Sequence, residues 1–194
     1  MNTKEGVIKF KCHWNRSPLA QDGKINELIE YRKKLFDLKF IGCDKNGVGY
    51  GNLSVRHKDN MFYVSGSSTG NIEHFNESHV ALVTAFDTIQ NRIFCTGKIK
   101  ASSESLTHAA IYDSLPDIRA VIHIHNKKIW QKYLDHYPTT SKVVTYGTPE
   151  MANEIRKNLG TESEIIIMGG HEDGVLAYGK DMETAFIHIL NLTT

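Results

Sequence analysis

Ala120-Val121-Ile122-His123-Ile124-His125 decides how this chain is read. An apolar, largely β-branched run of this length reads as a buried strand. A strand alternates its faces with a period of two. His123 and His125 therefore share a face, with Cα atoms about 7 Å apart. Two imidazoles on one face of a rigid strand are half of a metal site. Zinc is favoured, because it takes imidazole nitrogen in tetrahedral geometry. The same spacing also describes an outward strand face carrying two polar residues, and spacing alone leaves both readings open.

Outward from that strand, turn signals and periodicity order the rest of the chain. Upstream, Asp22 is placed to cap a helix over residues 24–40, ended by Gly42. Strand patterns follow at 53–56, 61–65, 80–86 and 92–95. Ser102 or Ser103 is placed to cap a helix of about ten residues that stops near Pro116. Downstream, helices are expected near 127–133 and 149–159, strands at 164–168 and 174–178, and a final helix at 182–192. Residues 1–20 read as a lead-in, with Val7 and Phe10 suited to a short edge strand, and 21–194 as a single domain. Helices and strands mix without strict βαβ alternation, so the class is α/β, with a largely antiparallel or mixed sheet carrying helices on its faces.

The bulk numbers exclude several functions. The chain has 194 residues, 40% of them hydrophobic and 23% charged, with a net charge of +1. That balance gives no electrostatic case for nucleic acid or membrane surfaces. The triplet Arg32-Lys33-Lys34 reads as a solvated helix face. No apolar run reaches bilayer length, and the first residues carry no signal-peptide core. Three widely spaced cysteines, Cys12, Cys43 and Cys95, without a CxxC, point to a reducing cytoplasm.

Chemistry is concentrated in four further places. Glu104 and His108 lie four apart on one helix face, Glu104 in the first turn where the helix dipole favours a carboxylate. His171 sits in Gly169-Gly170-His171-Glu172-Asp173-Gly174 between two apolar strands, placed to reach ligands of another strand. Two glycine-rich segments, 44–52 and 65–70, offer backbone N–H groups and hydroxyls with little positive charge, as does Ser102-Ser103. Such nests and helix N-termini suit a phosphate. Neither loop fits the common nucleotide-binding fingerprints.

Together these residues resemble the class II aldolase/adducin family. The marks are Gly51-Asn52-Leu53-Ser54-Val55-Arg56, then Ser102-Ser103-Glu104 with His108 and Tyr112, the strand with His123 and His125, Tyr146-Gly147-Thr148-Pro149-Glu150, and the His171 segment. The resemblance implies a three-layer α/β/α fold with a central, mainly antiparallel sheet. It implies zinc held by His123, His125 and His171, with Glu104 as acid/base. It implies phosphate contacts from Gly51, Asn52, Thr69, Gly70, Ser102 and Ser103. The activity implied is a lyase of the aldolase type on a small phosphorylated ketose, through an enediolate. Epimerisation or dehydration at the same site, or a non-enzymatic assembly role, are its alternatives. A homotetramer with sites at subunit boundaries is also implied, and Trp130, Tyr133 and Tyr137 are placed to face a neighbour or to pack in the core.

Three departures set further expectations. A gapless match puts Asp173, not His171, where the third ligand belongs; the two are two apart, so both could face the metal if the segment is extended. The second glycine loop is rich in serine and lacks the family's proline. The chain ends at Thr194, directly after the last expected helix, whereas aldolases of this family carry a tail with a tyrosine near the substrate. Any tyrosine acid is then expected from elsewhere in the chain or from a neighbour.

Overall fold

A computed structural model of the chain describes residues 7–160 and 163–194. The elements run β1 (Lys11–Arg16), α1 (Gly23–Asp37), β2 (Gly42–Cys43), β3 (Gly49–Tyr50), β4 (Asn52–Lys58), β5 (Met61–Ser65), β6 (Val80–Asp87), β7 (Arg92–Gly97), α2 (Ser105–Ser114), β8 (Ala120–His125), α3 (Lys127–Tyr133), α4 (Pro149–Asn158), β9 (Ile165–Ile167), β10 (Gly174–Gly179) and α5 (Met182–Asn191). Eight strands form one sheet in the order β1-β7-β6-β5-β4-β8-β10-β9. All of its pairings are antiparallel except β1 with β7. The lead-in thus contributes an edge strand, slightly later than Val7 and Phe10 suggest.

Alternation along β8 separates two cores. Val121 joins Leu106, Ala109 and Ala110 of α2 and Met151, Ala152 and Ile155 of α4 on one face. Ala120, Ile122 and Ile124 join Leu28 of α1, Ile129 of α3 and Ala185 and Ile189 of α5 on the other. This is the three-layer α/β/α arrangement. Period two then puts His123 and His125 on the α2–α4 side with Val121.

Several boundaries differ from the sequence reading, each for a local reason. Helix α1 stops at Asp37, because Lys39 takes a left-handed backbone (φ 61°). The Lys39 N–H bonds Phe36 O and the Phe40 N–H bonds Leu35 O, the paired bonds of a Schellman stop, which folds Phe40 onto Leu35. The buried stripe of α1 is Ile25, Leu28, Arg32 and Leu35, so Arg32 is interior and not part of a solvated face. The segment 44–52, expected as a loop, is in part a small hairpin, its Gly49–Tyr50 strand β3 pairing with β2 (Gly42–Cys43). Its turn is tied by Asp44 Oδ1, which accepts from the N–H groups of Asn46 and Val48 at 2.8 and 2.9 Å. Trp130, Tyr133 and Tyr137 pack against the α1–α5 core, and Trp130 Nε1 donates to Met168 O at 3.0 Å.

Two polar clusters fasten α2 to β4. Arg56 donates to the carbonyls of Tyr112 (2.8 Å), Leu115 (2.9 Å) and Ile118 (2.7 Å), closing the C-terminal end of α2. One turn deeper, Ser54 Oγ lies 2.7 Å from His108 Nδ1 and 2.8 Å from Tyr112 Oη. Full burial pushes the His108 imidazole down to about 3. The native state therefore keeps it neutral, while the unfolded chain protonates it near pH 6.5. Stability from this residue is present above pH 6.5 and is lost as pH falls toward 3, at about 1.4 kcal/mol per pH unit. In metal-free protein, the stability advantage of wild type over His108→Asn should shrink by about 2 kcal/mol between pH 7 and pH 5. Urea unfolding at the two pH values measures it; a constant difference contradicts a neutral buried imidazole.

Candidate active site

Histidines 123 and 125 stand on β8, between β4 and β10, with Asn52 opposite His123 on one side and Gly174 opposite His125 on the other. The chain enters β10 through a turn in which the Gly174 N–H bonds His171 O at 2.9 Å. Asp173 fills the third position of that turn with φ 69°, a backbone that Asp tolerates better than most residues. The turn swings His171 back over the strand. Gly174 makes room for it: a Cβ there would lie 2.8 Å from His171 Cδ2 and 3.1 Å from His123 Cε1.

The result is a convergence of three Nε2 atoms. His125 Nε2 is 3.1 Å from His123 Nε2 and 3.1 Å from His171 Nε2. His123 and His171 are buried, and His125 is partly buried. Among the described residues these three form the one group of His, Cys, Asp or Glu that could hold a metal ion, and Asp173 is not in it. Burial, reinforced by the neighbouring imidazoles, pushes His123 and His171 well below the usual imidazole range. Burial alone brings His125 to about 4. All three are neutral at pH 7, the state in which imidazole ligates metal.

The donor set fits a metal on hydrogen-bonding grounds as well. A neutral Nε2 carries either one hydrogen or one lone pair. His125 Nε2 faces two other Nε2 atoms, so one hydrogen bond leaves its second contact unsatisfied. One cation satisfies all three lone pairs. Nitrogens about 2.1 Å from a tetrahedral zinc lie about 3.4 Å apart, close to the 3.1 Å at which His125 Nε2 meets each of the other two, and all three lie within 4.8 Å of one another.

Glu104 closes this pocket from α2. It is the N-cap residue (φ −97°, ψ 6°) and makes no side-chain cap bond. The cap expected from Ser102 or Ser103 is therefore one or two residues early. Ser102 Oγ instead accepts from the Glu104 N–H at 3.3 Å, and Ser105 Oγ donates to Ser102 O at 2.7 Å. Freed from capping, the Glu104 carboxylate points into the cluster, with Oε1 at 3.4 Å from His171 Nε2 and Oε2 at 4.0 Å from His123 Nε2. It is 1% exposed.

The three polar segments adjoin one another beside this pocket. Gly51 takes φ 74° and packs against Ile41, Phe40 O and His123 O, where a Cβ would not fit. Gly70 packs so tightly on the β2–β3 hairpin that a Cβ would fall 2.0 Å from Gly42 O. The same loop reaches the serines: the Ser67 N–H bonds Lys100 O at 2.9 Å, and Gly66 bridges to Ala101. Ser102, Ser103, Thr69 and Asn52 are all buried. Thr69 Oγ1 is committed to Gly66 O at 2.8 Å, whereas Asn52 Oδ1 has no hydrogen-bond partner among the described residues.

Three residues beside the cluster, Tyr146, Lys9 and Tyr50, have no site role in the sequence reading. The Tyr146 ring lies 4.7 Å from the His171 ring, and Lys9 covers it, with Nζ 3.7 Å from the ring centroid and 3.0 Å from Tyr146 O. Lys9 is 137 residues from Tyr146, in a segment with no motif, so no local spacing signals the contact. Tyr50 flanks His125 with ring centroids 5.3 Å apart, inside a loop that composition marks only as glycine-rich.

Comparison with known proteins agrees with this geometry. The family model described as Class II Aldolase and Adducin N-terminal domain matches residues 27–194. Gamma-adducin of Rattus norvegicus is 29% identical over 100 residues, which are 44% of this chain and 14% of that protein. A 3-oxo-tetronate 4-phosphate decarboxylase of Haemophilus influenzae is 27% identical over 156 residues, 69% of each chain. The chain therefore spans a small part of the adducin and about two thirds of the decarboxylase. Among solved structures, an L-fuculose 1-phosphate aldolase superposes with a TM-score of 0.68 at 24% identity, over 90% of this chain and 84% of its own, a likeness of fold. With a family model spanning both glycine segments, Glu104 and all three histidines, the chain belongs to the class II aldolase and adducin N-terminal domain family.

Proposed function

We propose that this chain is a zinc-dependent lyase of the aldolase type, acting on a small phosphorylated ketose. The observation that carries the reading is the buried Glu104 carboxylate beside three converging imidazoles, 3.4 Å from His171 Nε2. His123, His125 and His171 would hold the metal. Bound there, zinc supplies Lewis-acid polarisation to a substrate carbonyl and its neighbouring hydroxyl. Glu104 takes and returns the proton at the carbon next to that carbonyl, leading to an enediolate, from a position fixed by the start of α2. Gly51, Asn52, Thr69, Gly70, Ser102 and Ser103 hold the phosphate and orient the reacting end. Asn52 Oδ1, buried and lacking a hydrogen-bond partner among the described residues, is suited to accept from a substrate hydroxyl.

The match to a sugar-acid phosphate decarboxylase supports a second reading, in which the same residues serve decarboxylation, epimerisation or dehydration of a related substrate. The adducin match supports an assembly role, in which a buried Glu–His cluster has no task. The three widely spaced cysteines without a CxxC support a cytoplasmic setting. No helix among the described residues is long and apolar enough to cross a membrane. His125 borders a surface cleft of about 480 Å³, with Asp44, Tyr50, Lys127 and Asp173 on its walls. We read this mouth as covered by a neighbouring subunit in a homotetramer.

Glu104→Gln should retain its fold and zinc content while turnover on a panel of phosphorylated ketoses falls by about 10²-fold or more. An active Gln variant removes Glu104 from the mechanism. In competition titrations against a chromophoric chelator, His171→Asn should weaken zinc by more than about 100-fold, beyond the range of outer-shell partners, and Asp173→Asn should leave affinity within that range. The reverse result makes Asp173 the third ligand. Light scattering at micromolar concentration should give four times the mass of one chain; a monomer rejects the covered mouth.

A further inference from the structure

Arg32 is among the largest fully buried side chains of the fold, at 1% exposure, and among the described residues no carboxylate forms an ion pair with it. It lies between the rings of Phe36 and Phe75, 4.4 and 5.1 Å from their centroids. One nitrogen, Nη2, donates to Thr69 O at 2.9 Å and to Gly70 O at 3.0 Å. Nε and Nη1 have no hydrogen-bond partner among the described residues. The carboxylate of Asp37, paired with Lys33 on the surface, acts on Arg32 only through space; a guanidinium stays charged, and burying one without a hydrogen-bonded counter-ion is costly. A buried cation held there by two carbonyls calls for a compensating anion nearby.

The geometry of the peptide bond says where that anion belongs. In a trans peptide the N–H points opposite to the C=O. Arg32 draws the carbonyls of Thr69 and Gly70 to its own side, so the N–H groups of Gly70 and Asn71 turn to the other side. There the loop meets Gly49 and Tyr50, next to Gly51 and Asn52. The positive field and the N–H groups then act in the same direction.

We propose that Arg32 is a positioning residue for the anion subsite. From behind the loop, it fixes the Thr69 and Gly70 carbonyls, aims the loop's N–H groups at a phosphate group, and supplies the charge that the subsite itself lacks. This rests on the phosphorylated-substrate reading above. The basic triplet that contains Arg32 carries no such signal, since Lys33 and Lys34 pair with Asp37 and Glu30 on the surface.

The test titrates inorganic phosphate into full-length wild type, Arg32→Lys and Arg32→Met, with zinc affinity measured in parallel. Arg32→Met should weaken phosphate about 10-fold or more, Arg32→Lys should restore part of it, and zinc affinity should stay within about 2-fold. A general structural defect would move both ligands together. In wild type, the Arg32 Nε–H and Gly70 N–H resonances should shift with phosphate at one apparent Kd. This decides the matter even if Arg32→Met fails to fold. Unchanged phosphate affinity in both variants, or a static Arg32 resonance while Gly70 responds, overturns the role of Arg32 and leaves the phosphate reading standing. A wild type that does not saturate with phosphate overturns the phosphate reading, and this role with it.

Discussion

Three imidazole nitrogens gathered within 4.8 Å of one another are the constraint on which the rest of this structure depends. His125 Nε2 faces both His123 Nε2 and His171 Nε2 at 3.1 Å. Neutral rings cannot satisfy both contacts with hydrogens, and protonated rings would repel. Burial has removed the water that would otherwise solvate His123 and His171. The arrangement is one that could hold a cation, and the surrounding fold keeps it in place. Gly174 leaves out the side chain that would displace His171, the turn at Asp173 aims it, and β4 and β10 clamp β8 from either side.

Around that centre the sheet divides labour between its faces. The α1–α5 side buries aliphatic residues and behaves as scaffold. The α2–α4 side buries its own apolar cluster in its middle, but at the ends of β4 and β8 it turns polar. There the N-terminal end of α2 delivers Glu104, and its C-terminal end is locked by Arg56. The helix is thus fixed at both ends, and Glu104 is held relative to the histidines without using its carboxylate as a cap. That is the kind of preorganisation that acid/base chemistry requires. Arg32 extends the same logic to the scaffold side, since it reaches from α1 to the loop beside the pocket.

Much of this was legible in the chain because it depends on local period. The alternation in Val121-Ile122-His123-Ile124-His125 puts the two histidines on one face whatever else is true, and Met61–Ser65 and Lys127–Tyr133 fall where their patterns place them. What escaped the sequence depends on contacts between distant segments or on a competition between local bonds. Ser102 and Ser103 look like caps, but Ser102 bonds the Glu104 N–H and the helix starts later. Arg32 looks solvated until the loop at Thr69 and Gly70 is folded over it. Lys9 over Tyr146 has no precursor in spacing at all. Between His171 and Asp173 the sequence offers no choice, and it is the turn at Asp173 (φ 69°) that sets His171 among the other two imidazoles.

The most direct test of this account is X-ray absorption at the zinc edge on metal-loaded wild-type protein. The account predicts a first shell with three imidazole nitrogens at about 2.0–2.1 Å, showing the outer-ring scattering of histidine, and light oxygen donors completing the shell. A shell with two imidazoles and a protein carboxylate, or one dominated by sulfur near about 2.3 Å, would contradict it.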